Sequence, residues 1–158
     1  MPIPAHIIKF LDSRHIAYQP CRHMPAYTAQ GIAQAQHLSG KRIAKVVLVV
    51  VDDIKMIMAV VPANSRVDLD KLGDLLDAHW VRLATEEEFK DIFPECELGA
   101  MPPLGNLYHM EVWVDEALGL NSSIAFNAGT HADTIQMSFT DFERLVQPQT
   151  GSFGVLLH

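Results

Sequence analysis

Residues 41–51 read KRIAKVVLVVV, and the fold turns on this stretch. Five valines and one leucine follow Lys45 without interruption. They are apolar at both side-chain parities, as in a central strand covered on both faces. Whichever face Lys45 takes, it looks toward the interior. A buried ammonium without a partner is costly, so this lysine reaches water along its stem, finds a partner or serves a site. The residues alone leave all three open.

Beyond it, Asp52-Asp53 makes a turn, and residues 55–61, KMIMAVV, return as a second strand that Pro62 stops. A β-hairpin therefore lies at the centre of the fold. Upstream, Ile7, Ile8, Phe10 and Leu11 form the apolar stripe of a helix over residues 5–14, with Pro4 suited to its first turn. A short strand over residues 17–22 follows, and Thr28 caps a second helix, AQGIAQAQHL, which ends near Gly40. Downstream the pattern predicts a helix over residues 68–76 and a short strand over 80–83. A helix over 85–92 opens with the capping box T-E-E-E and ends at Phe93-Pro94. Three strands, MEVWVD, SIAFNAG and TIQM, lead into a last helix over residues 139–146.

With 158 residues, 49% hydrophobic and 20% charged, the chain suits one compact domain with a sizeable core. It shows no repeat, no low-complexity tract and no interior linker. The expected class is α+β, a single domain over residues 1–148 with a mixed sheet flanked by helices. Pro148 and the Gln, Thr, Gly and Ser after it read as a C-terminal tail over residues 149–158. Cys21 and Cys96 stand far apart in no C-x-x-C pattern, which points away from a disulfide framework or a cysteine zinc site and toward a reducing cytoplasm. The N-terminus has no signal-peptide pattern and no apolar run reaches a membrane span, so neither secretion nor membrane insertion is expected. A monomer or weak dimer is the expected state.

The net charge of −7 argues against broad nucleic-acid binding, yet it is unevenly spread. Residues 1–51 hold six Lys/Arg against one acid, +5, and residues 52–158 hold six against eighteen, −12. The basic end is either a solvated face or a place to meet an anion.

The common catalytic signatures G-x-S-x-G, H-E-x-x-H, the Walker loop and G-x-G-x-x-G are absent. His6, His15, His23, His37, His79, His109, His131 and His158 show no paired ligand spacing on one element, so no metal site is expected. In the loop GAMPPLG, residues 99–105, two prolines stiffen the backbone and the flanking glycines allow positive φ and close approach of another molecule. It makes a rigid rim or a plain turn. The stretch FNAGTH, residues 126–131, reads as a hairpin turn whose His131 is surface decoration or a site residue. Met24, Tyr27, Met101 and Phe126 are candidates for a pocket wall or for core.

Taken in order, Lys45 at the start of its strand, Gly99 and Pro103 in a Gly-x-x-x-Pro loop, and the Gly129-Thr130-His131 turn resemble the YbaK/ProX-like aminoacyl-tRNA deacylases. These are related to the editing insertion domain of bacterial prolyl-tRNA synthetase, and the resemblance spans about residues 5–146. It implies a curved mixed sheet, hydrolysis of the ester of a mischarged tRNA, the acceptor end of aminoacyl-tRNA as partner, an aminoacyl-tRNA synthetase as a candidate helper, and no cofactor. It implies catalytic roles for Lys45, Gly99 and His131. Substrate contacts would come from Ala100, Met101, Pro103, Gly129 and Thr130, with the backbone N–H groups of Gly99, Ala100 and Met101 as donors toward the acyl group. Small acyl groups, on a tRNA such as tRNA(Pro), are the expected substrates. Val46 departs from the polar residue that relatives commonly place after the lysine. Two alternatives stand beside this reading: a non-catalytic module that senses an aminoacyl adenosine, within a longer regulatory protein, and a metal-dependent hydrolase built on the histidines.

Overall fold

The computed structural model describes residues 2–35 and 38–157. Helix α1 (Ala5–Ser13) buries Ile7 and Leu11 completely, the inner edge of the expected stripe. Strand β1 (Tyr18–Arg22) and helix α2 (Ala29–Ala35) follow. The expected continuation of α2 through Gln36 and His37 lies outside the described residues, as does His158. Strands β2 (Ala44–Val51) and β3 (Lys55–Pro62) form the antiparallel hairpin. Asp52 and Asp53 both adopt positive φ, 52° and 56°, the left-handed conformations that a tight hairpin turn demands. Asp52 also accepts the N–H groups of His79 and Trp80, which ties the turn to the next strand along.

Strand β4 (Ser65–Val67) precedes α3 (Leu69–Leu76), whose first turn is capped by the Asp68 carboxylate. Then come β5 (Val81–Leu83) and α4 (Glu86–Phe89), where Thr85 and Glu88 close the expected capping box. Helix α4 is shorter than the sequence pattern indicates. After a long loop the chain forms β6 (Val112–Asp115), β7 (Ser123–Thr130), β8 (Asp133–Ser138) and α5 (Phe139–Val146). Two further strands follow, β9 (Gln149–Gly151) and β10 (Gly154–Leu156).

The fold is α+β with a mixed sheet, as expected, but the strands divide into three sheets. The largest runs β5-β2-β3-β6-β9, with β6 parallel to β3 and β9 parallel to β6. A second, antiparallel sheet runs β1-β8-β7, and β10 pairs with β4 in a third. Both faces of β2 are covered. Ala44 and Leu48 face the main core, where α1, α5, β7 and β8 contribute Leu11, Phe142, Phe126 and Ile135. Val49 and Val51 face a second core with Leu72 of α3 and Phe153.

The segment after Pro148 corrects the expectation of a tail. Phe153 is fully buried, and the Asp115 carboxylate, itself buried, accepts the N–H groups of Phe153 and Gly154 at 3.0 and 2.7 Å. A polar composition hid this because the segment contributes one buried aromatic ring and otherwise backbone hydrogen bonds, which any sequence supplies. The turn after β7 also differs. The strand runs through Thr130, a bulge falls between Asn127 and Thr130, and His131-Ala132 make the reversal.

Candidate functional site

A cavity of about 350 Å³ opens where β2 begins. Ile43, Ala44, Lys45 and Val46 form one side, and Gly99 and Met101 of the Gly-Pro loop form another. Asn127 of β7, Tyr27 and Gln30 around the start of α2, and Leu157 after β10 close the remainder.

Lys45 shares the parity of Val47, Val49 and Val51, and its half-buried stem leads its Nζ to donate to the backbone carbonyl of Ser65 on β4. Among the described residues no carboxylate pairs with it. Burial therefore pushes the ammonium below its ordinary pKa. Of the three options open for this lysine, the fold supplies a partner, the Ser65 carbonyl, and places the residue on the lining of a cavity.

The loop is laced to the end of β7. Glu97 N–H donates to the Gly129 carbonyl at 2.7 Å, and Gly129 N–H donates to the Ala100 carbonyl at 2.9 Å. The Glu97 carboxylate accepts the His131 N–H at 2.8 Å. His131 Nε2 lies 2.8 Å from the Leu98 carbonyl. A carbonyl only accepts, so Nε2 carries a proton, while Nδ1 is buried and bonds no described residue. The Tyr27 ring covers the imidazole, with ring centroids 4.6 Å apart. Gly99 sits at φ +84° and Gly129 at φ +92°, where glycine alone is comfortable.

Backbone donors in the loop are unequally available. Ala100 N–H is spent on the Glu97 carbonyl at 3.0 Å, which removes it from the expected set of donors. The N–H groups of Gly99 and Met101 bond no described residue, and both residues line the cavity. Asn127 adds a feature the sequence reading missed: its Oδ1 is buried and has no donor. A buried acceptor left open beside a cavity is matched to a ligand that donates. The signal was a polar residue interrupting the apolar run IAFNA.

The family model of the aminoacyl-tRNA editing domain matches residues 23–145, most of the chain. The chain belongs to this family. The resemblance carried by Lys45, the Gly-x-x-x-Pro loop and the Gly-Thr-His turn is thereby borne out. No curated protein matches this chain significantly by sequence. Among solved structures, a hypothetical protein, APE2540, superposes with a TM-score of 0.85 at 17% identity, over 94% of this chain and 99% of that one. A proposed trans-editing enzyme for prolyl tRNA synthetase superposes with a TM-score of 0.82 at 22% identity, over 98% of each chain. A proposed signal transduction protein from Marinobacter aquaeolei VT8 does so with a TM-score of 0.78 at 19% identity, over 98% of this chain but 31% of that one. At such identities these likenesses establish the fold alone.

Within the editing domain, the residues singled out by sequence separate into three groups. Lys45, Gly99, Met101 and Tyr27 meet at the cavity. His131, Ala100, Pro103, Gly129 and Thr130 are buried and stand off the cavity wall. His131 acts on the loop by bonding it, and Thr130 is engaged with Asp133 at 2.6 Å. A Cβ on Gly129 would stand 2.6 Å from Pro4 Cδ, so that glycine is needed for close packing of the N-terminal segment. Phe126 and Met24 correct the expected pocket wall. Phe126 is fully buried against Phe142 in the main core, and Met24 is 80% exposed away from the cavity. The alternation along β7 explains Phe126: its side chain points to the face opposite that of Asn127.

Among the described residues no group of three or more His, Cys, Asp or Glu side chains is placed to hold a metal ion. No helix among them is long and apolar enough to cross a membrane.

Proposed function

We propose that this editing domain is a trans-acting deacylase that hydrolyses the ester between a mischarged amino acid and the terminal adenosine of a tRNA. The observation that carries the reading is that one cavity is lined by a cation with no carboxylate partner among the described residues, by two residues whose backbone N–H groups bond no described residue, and by a buried acceptor without a donor. An aminoacyl ester is already activated by its α-ammonium and ribose hydroxyl. It needs a positioned water and a stabilised oxyanion rather than a covalent nucleophile.

In this mechanism Lys45 holds the terminal ribose and phosphate, or the acyl carbonyl, by charge-assisted hydrogen bonds. The N–H groups of Gly99 and Met101 receive the oxyanion, and Asn127 Oδ1 accepts from the α-ammonium. Water adds to the carbonyl carbon. As the tetrahedral intermediate collapses, the bond from that carbon to the ribose oxygen breaks, the ribose oxygen takes a proton from the attacking water, and amino acid and tRNA separate. His131 is a positioning residue that holds the Leu98 carbonyl and with it the loop.

A small acyl group on tRNA(Pro) is the substrate we infer. The apolar Val46 on the cavity wall suits a short aliphatic side chain, and a protein of the same fold is a proposed trans-editing enzyme for prolyl tRNA synthetase. Cytoplasmic action beside a synthetase follows from that substrate. The test is a panel of tRNA(Pro) charged with Ala, Cys, Ser and Pro. Hydrolysis of at least one small mischarged ester with Pro spared is expected, and an inert protein across the panel overturns the reading. A second reading, a non-catalytic sensor of aminoacyl adenosine, is favoured by the occurrence of this fold as 31% of a proposed signal transduction protein. Binding of a non-hydrolysable aminoacyl adenosine without turnover of any ester would select it.

A further inference from the structure

A second cleft, of about 180 Å³, lies beside the cavity, and the two share a wall. After β3, Ala63 lines the cavity while Pro62 and Asn64 line the cleft. After β10, Leu157 lines the cavity while Leu156 lines the cleft. The Leu157 N–H bonds the Asn64 carbonyl at 2.9 Å, closing the wall between them. Leu120, Lys41 and Asn121 line it as well, with Ser65 and Ala117. Leu120 is 88% exposed and Leu156 59% exposed, so two large apolar side chains stand open to solvent here. Asn121 Nδ2 is committed to the Lys41 carbonyl at 2.8 Å, while its Oδ1 bonds no described residue.

Apolar side chains, a free amide acceptor and a lysine at one cleft match a flat ring with a polar edge and an anionic backbone. That is the chemistry of a nucleotide. We propose that this cleft takes the base of the nucleotide preceding the terminal adenosine, against Leu120 and Leu156, with its phosphate toward Lys41. The proposal rests on the reading of the cavity as the seat of the aminoacylated adenosine. Two arguments favour this occupant. The cleft adjoins the cavity across one thin wall, so the sites for two successive nucleotides of one strand would lie side by side. Lys41, exposed on the lining of the cleft, belongs to the +5 segment of an otherwise acidic chain, so the cleft offers a phosphodiester a cation without carboxylates among its lining residues.

The experiment compares two esters with the same small acyl group, aminoacyl adenosine and aminoacylated cytidylyl-adenosine. The dinucleotide ester is expected to show about tenfold higher kcat/KM, the scale of one base contact. Leu120→Asp and Lys41→Gln, both at the surface, should each bring the ratio close to one and leave the rate on aminoacyl adenosine unchanged. Equal rates on the two esters in the parent, or a ratio that survives both substitutions, would overturn the proposal. So would a parent dimer by sedimentation that Leu120→Asp dissolves, because the leucine then faces a second copy. If neither ester is hydrolysed, the deacylase reading fails separately. Methyl NMR with uncharged cytidylyl-adenosine then decides the cleft: shifts at Leu120 and Leu156 support it, and their absence overturns it.

Discussion

Replacing Lys45 by Met keeps a long unbranched stem beside Val61 on the neighbouring strand and removes the charge. In the fold the ammonium donates to the Ser65 carbonyl and has no carboxylate partner among the described residues. The substitution therefore loses one charge-assisted hydrogen bond, about 1.5–3 kcal/mol, and relieves the burial of a charge at comparable cost. Folding stability should stay within about 1 kcal/mol, a Tm shift of roughly 2–4 °C for a chain of this size. Catalysis does not share that cancellation. A preorganised donor aimed at developing charge is worth about 2.7–4 kcal/mol, so kcat/KM on a mischarged tRNA should fall by roughly 10²–10³. Lys45→Arg keeps the charge but presents a wide planar guanidinium, and it should lose activity on a similar scale. The pH profile supplies an independent check. The folded pKa lies below the ordinary 10.5, so the alkaline limb of kcat/KM, corrected for base-catalysed decay of the ester, should fall below that value as the ammonium deprotonates. Over the same window the unfolded chain holds more protons than the folded one. Wild-type stability thus rises with pH between the folded and unfolded pKa values, and the Met variant should lack this rise. Retained activity in Lys45→Met, within about threefold of the parent, would refute the reasoning. A Tm loss beyond about 10 °C would make Lys45 a structural strut instead.

The two left-handed glycines should respond differently to alanine. A Cβ at Gly99 meets only His131 Cε1, at 3.7 Å, so Gly99→Ala should fold with a backbone penalty of about 1–2 kcal/mol and a reduced kcat. At Gly129 the same Cβ meets Pro4 at 2.6 Å, so Gly129→Ala should show the larger drop in Tm by calorimetry. Asn127→Ala should erase a preference for esters with a free α-ammonium over their N-acetyl counterparts; an undiminished preference would place the ammonium elsewhere. Glu88, held by Arg82 and by the Thr85 N–H, has its pKa lowered to about 2 from 4.5. The stability it confers is present above 4.5 and is lost as pH falls toward 2, so urea midpoints of parent and Glu88→Gln should converge across that interval.

Much of the fold was legible in local signals, because those signals are set by neighbours in the chain. The valine run of β2, the return of β3, the Asp52-Asp53 turn, the Thr85 capping box and the stripe of α1 each follow from side-chain period and backbone preference over a few residues. The same locality made Lys45 conspicuous, since a charge opening an apolar strand has few explanations. The third dimension was needed wherever the deciding partner is distant in sequence. Nothing near Gln149 foretells strands β9 and β10; the Asp115 carboxylate and a deep place for Phe153 hold them. Nothing near Phe126 or Asn127 says which of the two faces the core, because one bulge and one register set that parity. The sequence also could not apportion the loop's donors. Ala100 N–H is consumed and those of Gly99 and Met101 are left open by a hydrogen-bond pattern that links residues 97–101 to 129–131. A side chain's type is written locally, but its availability depends on which long-range partner reaches it first, and burial fixes that partner only after the chain has closed on itself.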